Sequence, residues 1–130
     1  MPKKYGLSRS EKLKSVVLTE KLFTQGKSFK IFPFVVYFRL SKNGEFSHNQ
    51  FLVSVGKHFF KHAVDRNRMK RLVREAYRLN KNLLYEKASE KSVYFNVGFV
   101  YRSGTLASFP EGEVPVKNAI SVLAEKIAAF

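Results

Sequence analysis

The sequence predicts an α/β protein, in the form of a two-layer α+β sandwich, and three observations carry that prediction. Apolar residues recur at helical spacing in three separate stretches: after Ser15, across Met69 to Leu79, and across Val116 to Ile127. Between them lie runs rich in β-branched and aromatic residues, at Phe34 to Leu40, Gln50 to Val55 and Val93 to Tyr101. The order helix, strands, helix, strand, helix is that of helices packed on a sheet. A chain of 130 residues, 45% of them hydrophobic, suits one domain spanning 1–130, with a core that needs no metal or disulfide staple.

Each element has a local reason. Residues 1–9 are basic and are expected to be loose. The first helix is expected from Ser15, an N-cap residue, to Gly26, a C-terminal glycine, with Leu18 above Leu22 and Thr19 above Phe23. Pro33 interrupts the extended segment that follows, so a short strand at Ser28 to Phe32 precedes the longer one at Phe34 to Leu40. Lys42-Asn43-Gly44 is a turn signal, and the long strands on either side of it are expected to pair as a hairpin. Asn80 to Lys91 is polar and reads as a helical extension or a loop. Gly104 to Gly112 reads as a loop. The last helix is expected to begin near Pro115, with Val116, Ile120, Leu123 and Ile127 as its core stripe.

The helix at 65–79 is the most informative stretch. Met69, Leu72, Val73, Ala76 and Leu79 form an apolar stripe, while Asn67, Arg71, Arg74 and Arg78 fall on the opposite face at i, i+4, i+7 and i+11. Arg66, Arg68 and Lys70 flank that second line, which is about 16 Å long. Only Asp65 and Glu75 interrupt it with negative charge. A solvated face normally mixes signs, because i,i+4 ion pairs help and like charges repel. Here the like charges are adjacent, and a polyanion would relieve their repulsion. The dominance of Arg over Lys suits forked hydrogen bonding to phosphate.

Composition narrows the function classes. A formal charge of +14, from 24 Lys and Arg against 10 Asp and Glu, favours nucleic acid or an anionic surface as partner. Most of the 13 Phe and 6 Tyr belong in a core, but a few on an open sheet face would offer stacking platforms for unpaired bases. The longest apolar run, Phe32 to Phe38, is too short to span a bilayer, and no signal-peptide core follows Met1. With no cysteine in the chain either, a cytoplasmic location and no membrane partner are expected.

Catalysis by the chain itself is not expected. The acidic residues are scattered, and Asp65, the only Asp, is explained by its place at a helix start. Of His48, His58 and His62, the last two are four apart, but the residues between them fall in a loop-to-helix transition, and with no Cys in the chain they make a poor zinc set. No phosphate-cradling Gly loop and no Ser-His-acid set is present. Neither a catalytic residue nor a protein-held metal is therefore assigned.

The run Ala63-Val64-Asp65-Arg66-Asn67-Arg68-Met69-Lys70-Arg71-Leu72-Val73-Arg74-Glu75-Ala76-Tyr77-Arg78 closely resembles the Arg-Asn-Arg signature of the bacterial ribonuclease P protein subunit. The flanks match in order: Leu22 to Ser28 is similar to the family's first-helix end, Phe34 to Phe38 to its long strand, and Val53 to Lys57 to the strand leading into the signature helix. The resemblance implies an αβββαβα fold, a four-stranded sheet with three helices. It also implies a left-handed strand–helix–strand crossover, against the usual right-handed preference.

It further implies a holoenzyme that removes the 5′ leader of precursor tRNA, with Mg²⁺ bound mainly by an RNA subunit that performs the hydrolysis. Arg66, Asn67, Arg68, Lys70, Arg71 and Arg74 would face that ribonuclease P RNA, with Arg78 on the same face and Lys57 as a further basic contact. Phe23, Tyr37 and Thr19 would line a cleft for the precursor tRNA leader, in a protein otherwise monomeric. Two departures stand out. Thr19 occupies a position where many members carry a second cleft Phe, and the loop Lys57 to His62 is one residue longer than is common. Its Phe59-Phe60 pair is expected to anchor the loop.

Other classes fit less well. A ribosomal or other structural RNA-binding protein would need the basic helix but not exposed aromatics beside a sheet. A DNA-binding regulator would need helix-turn-helix spacing before Ala63, which is absent. A membrane-surface helix would leave no apolar stripe for a core.

Overall fold

The computed structural model describes residues 9–42, 44–105 and 107–130. The described residues begin with a 3₁₀ turn at Arg9–Glu11, which includes Arg9 of the segment expected to be loose. The remainder of the segment expected to be loose, and Asn43 of the turn signal, lie outside the described residues.

Helix α1 (Val16–Gln25) starts where its N-cap predicts, with the Leu18 N–H donating to the Ser15 hydroxyl at 3.2 Å. It ends at Gly26, whose φ of −74° is ordinary, so the glycine is not there for a left-handed turn. Close packing is the reason. A Cβ on Gly26 would collide with the Leu22 carbonyl oxygen and sit 3.0 Å from that of Phe38.

Four strands follow the sequence reading within a residue or two: β1 (Lys27–Ile31), β2 (Phe34–Ser41), β3 (Gln50–Val55) and β4 (Tyr94–Tyr101). Their order in the sheet is β1-β2-β4-β3. The hairpin is therefore β1–β2, turning at a cis Phe32–Pro33 peptide. The expected β2–β3 hairpin does not form, because β4 lies between them, antiparallel to β2 and parallel to β3. β4 is buried along nearly its whole length and takes the centre, where it is paired on both edges and covered on both faces.

Three further helices follow: α2 (Ala63–Asn80), α3 (Asn82–Lys91) and α4 (Phe109–Ala128). The polar stretch after α2 is thus a helix of its own, which makes four α-helices among the described residues where three were expected. Helix α4 begins six residues before Pro115, which lies inside it. Its start carries a signal of its own: N-cap Ser108 donates its hydroxyl to Glu111 at 2.9 Å, with Pro110 in the first turn. Pro115 removes only one intrahelical bond, and packing of Val116, Ile120, Leu123 and Ile127 holds the helix together.

The two sheet faces are covered differently. Tyr77 of α2 stacks on Phe51 with centroids 4.0 Å apart, and its ring also meets Phe99, so α2 lies on the Phe51/Phe99 face. α4 packs beside α2, and Gly112 sits so close to Leu72 that a side chain there would overlap it. Leu79, expected in the core stripe, is 38% exposed. The stripe turns toward Tyr77 instead, whose ring meets Phe51 of β3 and Phe99 of β4, and Leu79, two residues further on, falls about 200° around the helix from it. α1 packs on the other face, where Leu22 lies against Gly98 and, further along, the buried Phe46 lies against Arg39.

One buried ion pair ties the chain's start to its middle. Lys81 Nζ, in the link between α2 and α3, donates to Glu11 at 2.6 Å, with the two side chains only 2% and 6% exposed. The Tyr85 hydroxyl donates to the same carboxylate oxygen at 3.0 Å. Burial, and then the Glu11 charge, push the Tyr85 phenol well above its ordinary range. Breaking such a pair from one side leaves an uncompensated buried charge. Lys81→Met is therefore expected to destabilise the fold by about 3–5 kcal/mol, and the double variant Glu11→Gln/Lys81→Met to recover part of that loss. Thermal and urea melts check both; equal melts for Lys81→Met and wild type would remove the pair from the fold's essential contacts.

Candidate nucleic-acid interface

α2 presents its polar residues away from the sheet, as its phase requires. Asn67, Arg68, Arg71 and Arg74 are exposed and Lys70 is half-buried. Among the described residues, none of these four cations forms an ion pair. They form a row of guanidinium and ammonium groups without a direct carboxylate partner among the described residues.

Two of the sequence-assigned arginines are committed elsewhere. Arg66 reaches back from the first turn and donates Nη1 to the carbonyls of Phe60 at 2.7 Å and Lys61 at 3.0 Å. It holds the loop that leads into α2. Arg78 pairs with Glu75 one turn away, its Nε donating at 3.1 Å, and its guanidinium keeps the Glu75 carboxyl below its ordinary range. The loop itself is anchored by Phe60, 6% exposed and stacked near Tyr101, with Phe59 half-buried beside it. Lys57 and His58 point to solvent just past the end of β3, and His62 is the N-cap of α2.

The other face holds the aromatic groove. Phe23 of α1 and Tyr37 of β2 meet edge to face with centroids 4.9 Å apart, and Phe23 is 37% exposed. Thr19 lies one helical turn before Phe23 and is half-buried. The groove's depth is set by Gly98, which pairs across the sheet with Tyr37 and Leu52. A Cβ on Gly98 would lie 3.1 Å from Leu22 and 3.2 Å from Leu52, so α1 sits as low as a strand without a side chain allows. Glu45 clamps α1 to β2, accepting from Arg39 at 2.6 Å and Lys21 at 3.2 Å, and these bonds hold its carboxyl below the ordinary range.

The structure thus brings Phe23, Tyr37 and Thr19 together and gathers Asn67, Arg68, Lys70, Arg71 and Arg74 on one helix, but not in one site. The two sets lie on opposite sides of the sheet. Lys57 joins neither directly; it stands at the sheet's end, about 16 Å along the strands from the row of Tyr37. Sequence reading missed Lys30 and Arg102, exposed at that same end on the face of Tyr37. Period-2 alternation along β1 and β4 was the signal that could have found them. Among the described residues, no three His, Asp or Glu side chains come together as a metal site, and no helix is long and apolar enough to cross a membrane.

Fold and site together define a small basic RNA-binding protein, with a cationic helix on one side of a mixed sheet and an aromatic groove on the other. The family model for ribonuclease P matches residues 7–108. A ribonuclease P protein component of Porphyromonas gingivalis is 38% identical over 126 residues, covering 97% of this chain and 92% of its own. That of Chlorobium phaeobacteroides is 33% identical over 129 residues, covering 93% and 87%. The ribonuclease P protein of Thermotoga maritima matches in structure with a TM-score of 0.59 at 25% identity, over 92% of this chain and 97% of its own. That of Staphylococcus aureus shares the fold with a TM-score of 0.65 at 21% identity, over 86% and 94%.

The chain belongs to the bacterial ribonuclease P protein family. It is the RNA-binding protein component of an endoribonuclease of tRNA processing, whose catalysis is carried by the RNA.

The different commitments of the arginines are testable. Arg66→Ala should destabilise the fold by about 1–2 kcal/mol and speed amide exchange at residues 59–62, because charged hydrogen bonds are lost at the part-buried Phe60 carbonyl and the exposed Lys61 carbonyl. Arg71→Ala should leave the melt unchanged and flatten the salt dependence of RNA binding by about one phosphate contact. An Arg66→Ala protein that melts like wild type would return Arg66 to the exposed row.

Proposed function

We propose that the exposed face of α2 binds the ribonuclease P RNA while the groove beneath α1 binds the 5′ leader of precursor tRNA. The observation that carries this reading is the presence of both surfaces on one chain: an unpaired cationic row and, across the sheet, an exposed aromatic pair. A protein that only scaffolds RNA needs the first surface and not the second.

Asn67, Arg68, Lys70, Arg71 and Arg74 contact phosphates, with Arg78 at the end of the row. Arg66 acts by holding the loop from Lys57 to His62 beside them. Phe23 and Tyr37 stack on unpaired leader bases, with Thr19 narrowing the groove wall. Stacking tolerates any base, which suits a strand of variable sequence. Lys57 neutralises backbone charge at the sheet's end.

Mg²⁺ supplies the hydrolytic chemistry when bound by the RNA. The donor set of this chain does not fit a protein-held ion, since no carboxylate cluster exists among the described residues. The guanidinium row of α2 lowers phosphate repulsion where the RNAs meet, which reduces the Mg²⁺ that assembly requires.

The test is cleavage of a precursor tRNA by a bacterial ribonuclease P RNA at low Mg²⁺, with the protein, without it, and with the protein alone. Activity is expected only when RNA and protein are combined. Tight, salt-sensitive RNA binding without stimulation would overturn the reading. In the same system, Tyr37→Ala should weaken precursor tRNA binding about fivefold or more and leave mature tRNA affinity unchanged. Equal loss for both substrates would take the leader out of the groove.

A further inference from the structure

Phe32, at the tip of the β1–β2 hairpin, is 83% exposed, more than any other large hydrophobic residue described. A lone exposed Phe on a hairpin needs no explanation. This one is not alone. It borders a groove formed with Lys30, Pro33, Val35 and Arg102. Lys30 and Arg102 are both exposed, and among the described residues neither forms an ion pair. The Arg102 N–H donates to the Pro33 carbonyl at 2.8 Å, which pins the hairpin tip to the end of β4.

Register places this groove on the face that carries Tyr37. Tyr37 pairs with Gly98 across β2 and β4, and the next row on that face is Lys30, Val35, Val100 and Ser54. Arg102 continues the alternation one row further. Val35, Val100 and Ser54 are half-buried, so a floor made mostly of valine runs from the Phe23–Tyr37 pair toward Phe32. Tyr37 and Phe32 are five residues apart, roughly 16 Å in extended chain. One aromatic platform lies at each end of that floor, and cations flank the far one.

We propose that Phe32 is a second stacking platform for the precursor tRNA leader, with Lys30 and Arg102 on the flanking phosphates. The inference rests on the leader reading of the Phe23–Tyr37 groove. An unpaired strand with one base on Tyr37 follows the floor and places a more distant base on Phe32. The occupant is a polyanion with π faces, because the groove offers one aromatic face, two unpaired cations and no carboxylate.

The test is an abasic scan of the leader. Precursor tRNAs lacking one leader base at a time are bound to the reconstituted holoenzyme carrying wild-type, Phe32→Ala or Tyr37→Ala protein. Removing a stacked base should weaken wild-type binding about fivefold to 20-fold. Phe32→Ala should erase that penalty at one position or two adjacent ones, distinct from those erased by Tyr37→Ala. Phe32→Tyr should retain the wild-type profile, and because Phe32 is so exposed, all Phe32 variants should melt like wild type. A Phe32→Ala profile identical to wild type, beside a changed Tyr37→Ala profile, overturns the Phe32 platform and leaves the leader groove standing. Weaker holoenzyme assembly by Phe32→Ala without coupling to any leader position also overturns it, and assigns Phe32 to the RNA subunit. A wild-type profile insensitive to every leader base overturns the leader reading and this inference with it.

Discussion

Strand β4 must be covered on both faces and paired on both edges, and the placement of the cationic helix face and of the aromatic groove follows from meeting that requirement. Its odd-numbered residues, Phe95, Val97, Phe99 and Tyr101, are sealed by the layer of α2 and α4, while Asn96 and Gly98 lie beneath the single helix α1. Since α1 is one helix of ten residues, it covers only part of its face. Gly98 lets Leu22 sink to the strand backbone, and the depth of that seat leaves Phe23 at the rim against Tyr37. The groove is the uncovered remainder of a core-forming face, and its aromatic and β-branched lining is the ordinary composition of a sheet interior left open to solvent.

The opposite layer resolves a conflict between burial and charge. Adjacent like charges along α2 repel by a few tenths of a kcal/mol per pair. Met69, Val73, Ala76 and Tyr77 are fully buried, and large side chains of that kind contribute about 1.5–3 kcal/mol each. Packing therefore wins, and the helix forms with its charges unrelieved. The repulsion remains as a bias toward any partner that brings phosphates. Among the described residues of this region, Lys81 is the cation taken inside, and there the Glu11 carboxylate accepts from it while the Tyr85 ring lies beside it and the Tyr85 hydroxyl donates to the same carboxylate.

Elements governed by local chemistry were legible in the sequence. Ser15, Gly26 and the alternation of β2 and β3 marked their boundaries, and the charge pattern of α2 identified the helix that matters. Features set by tertiary context were not. Periodicity says that β2 and β3 each have a buried face but not that β4 separates them, because strand order depends on which strand most needs two neighbours. Pro115 drew the start of α4 too late; a proline is tolerated inside a helix whose other residues pack well, and the Ser108–Glu111 signal lay upstream. Helical phase and the family signature put Arg66 and Arg78 with the other cations, but neither signal reveals that Arg66 also bonds the Phe60 and Lys61 carbonyls or that Arg78 also pairs with Glu75. In the site, Phe23 and Tyr37 came from the family resemblance. Alternation along β1 and β4 could have marked Lys30 and Arg102 each on its own strand, but only the register brings them together with Phe32.

That register also says how the proposed recognition on this face would work, by stacking and charge instead of base edges. Half-buried Val35 and Val100 and exposed Lys30 and Arg102 offer apolar contact and point charges, with few groups that both donate and accept hydrogen bonds in a fixed plane. Discrimination between bases needs such paired groups. Stacking requires only a π face, which every base has, and phosphate contacts are the same at every nucleotide. The Phe23–Tyr37 pair is already interlocked, so a base that settles on it orders little that was free. Phe32 lacks a ring partner among the described residues, and its rotamer must be fixed on binding. Along the floor, then, the tight platform lies beneath α1 and the looser one at the hairpin tip, and a strand held at both is oriented without being read.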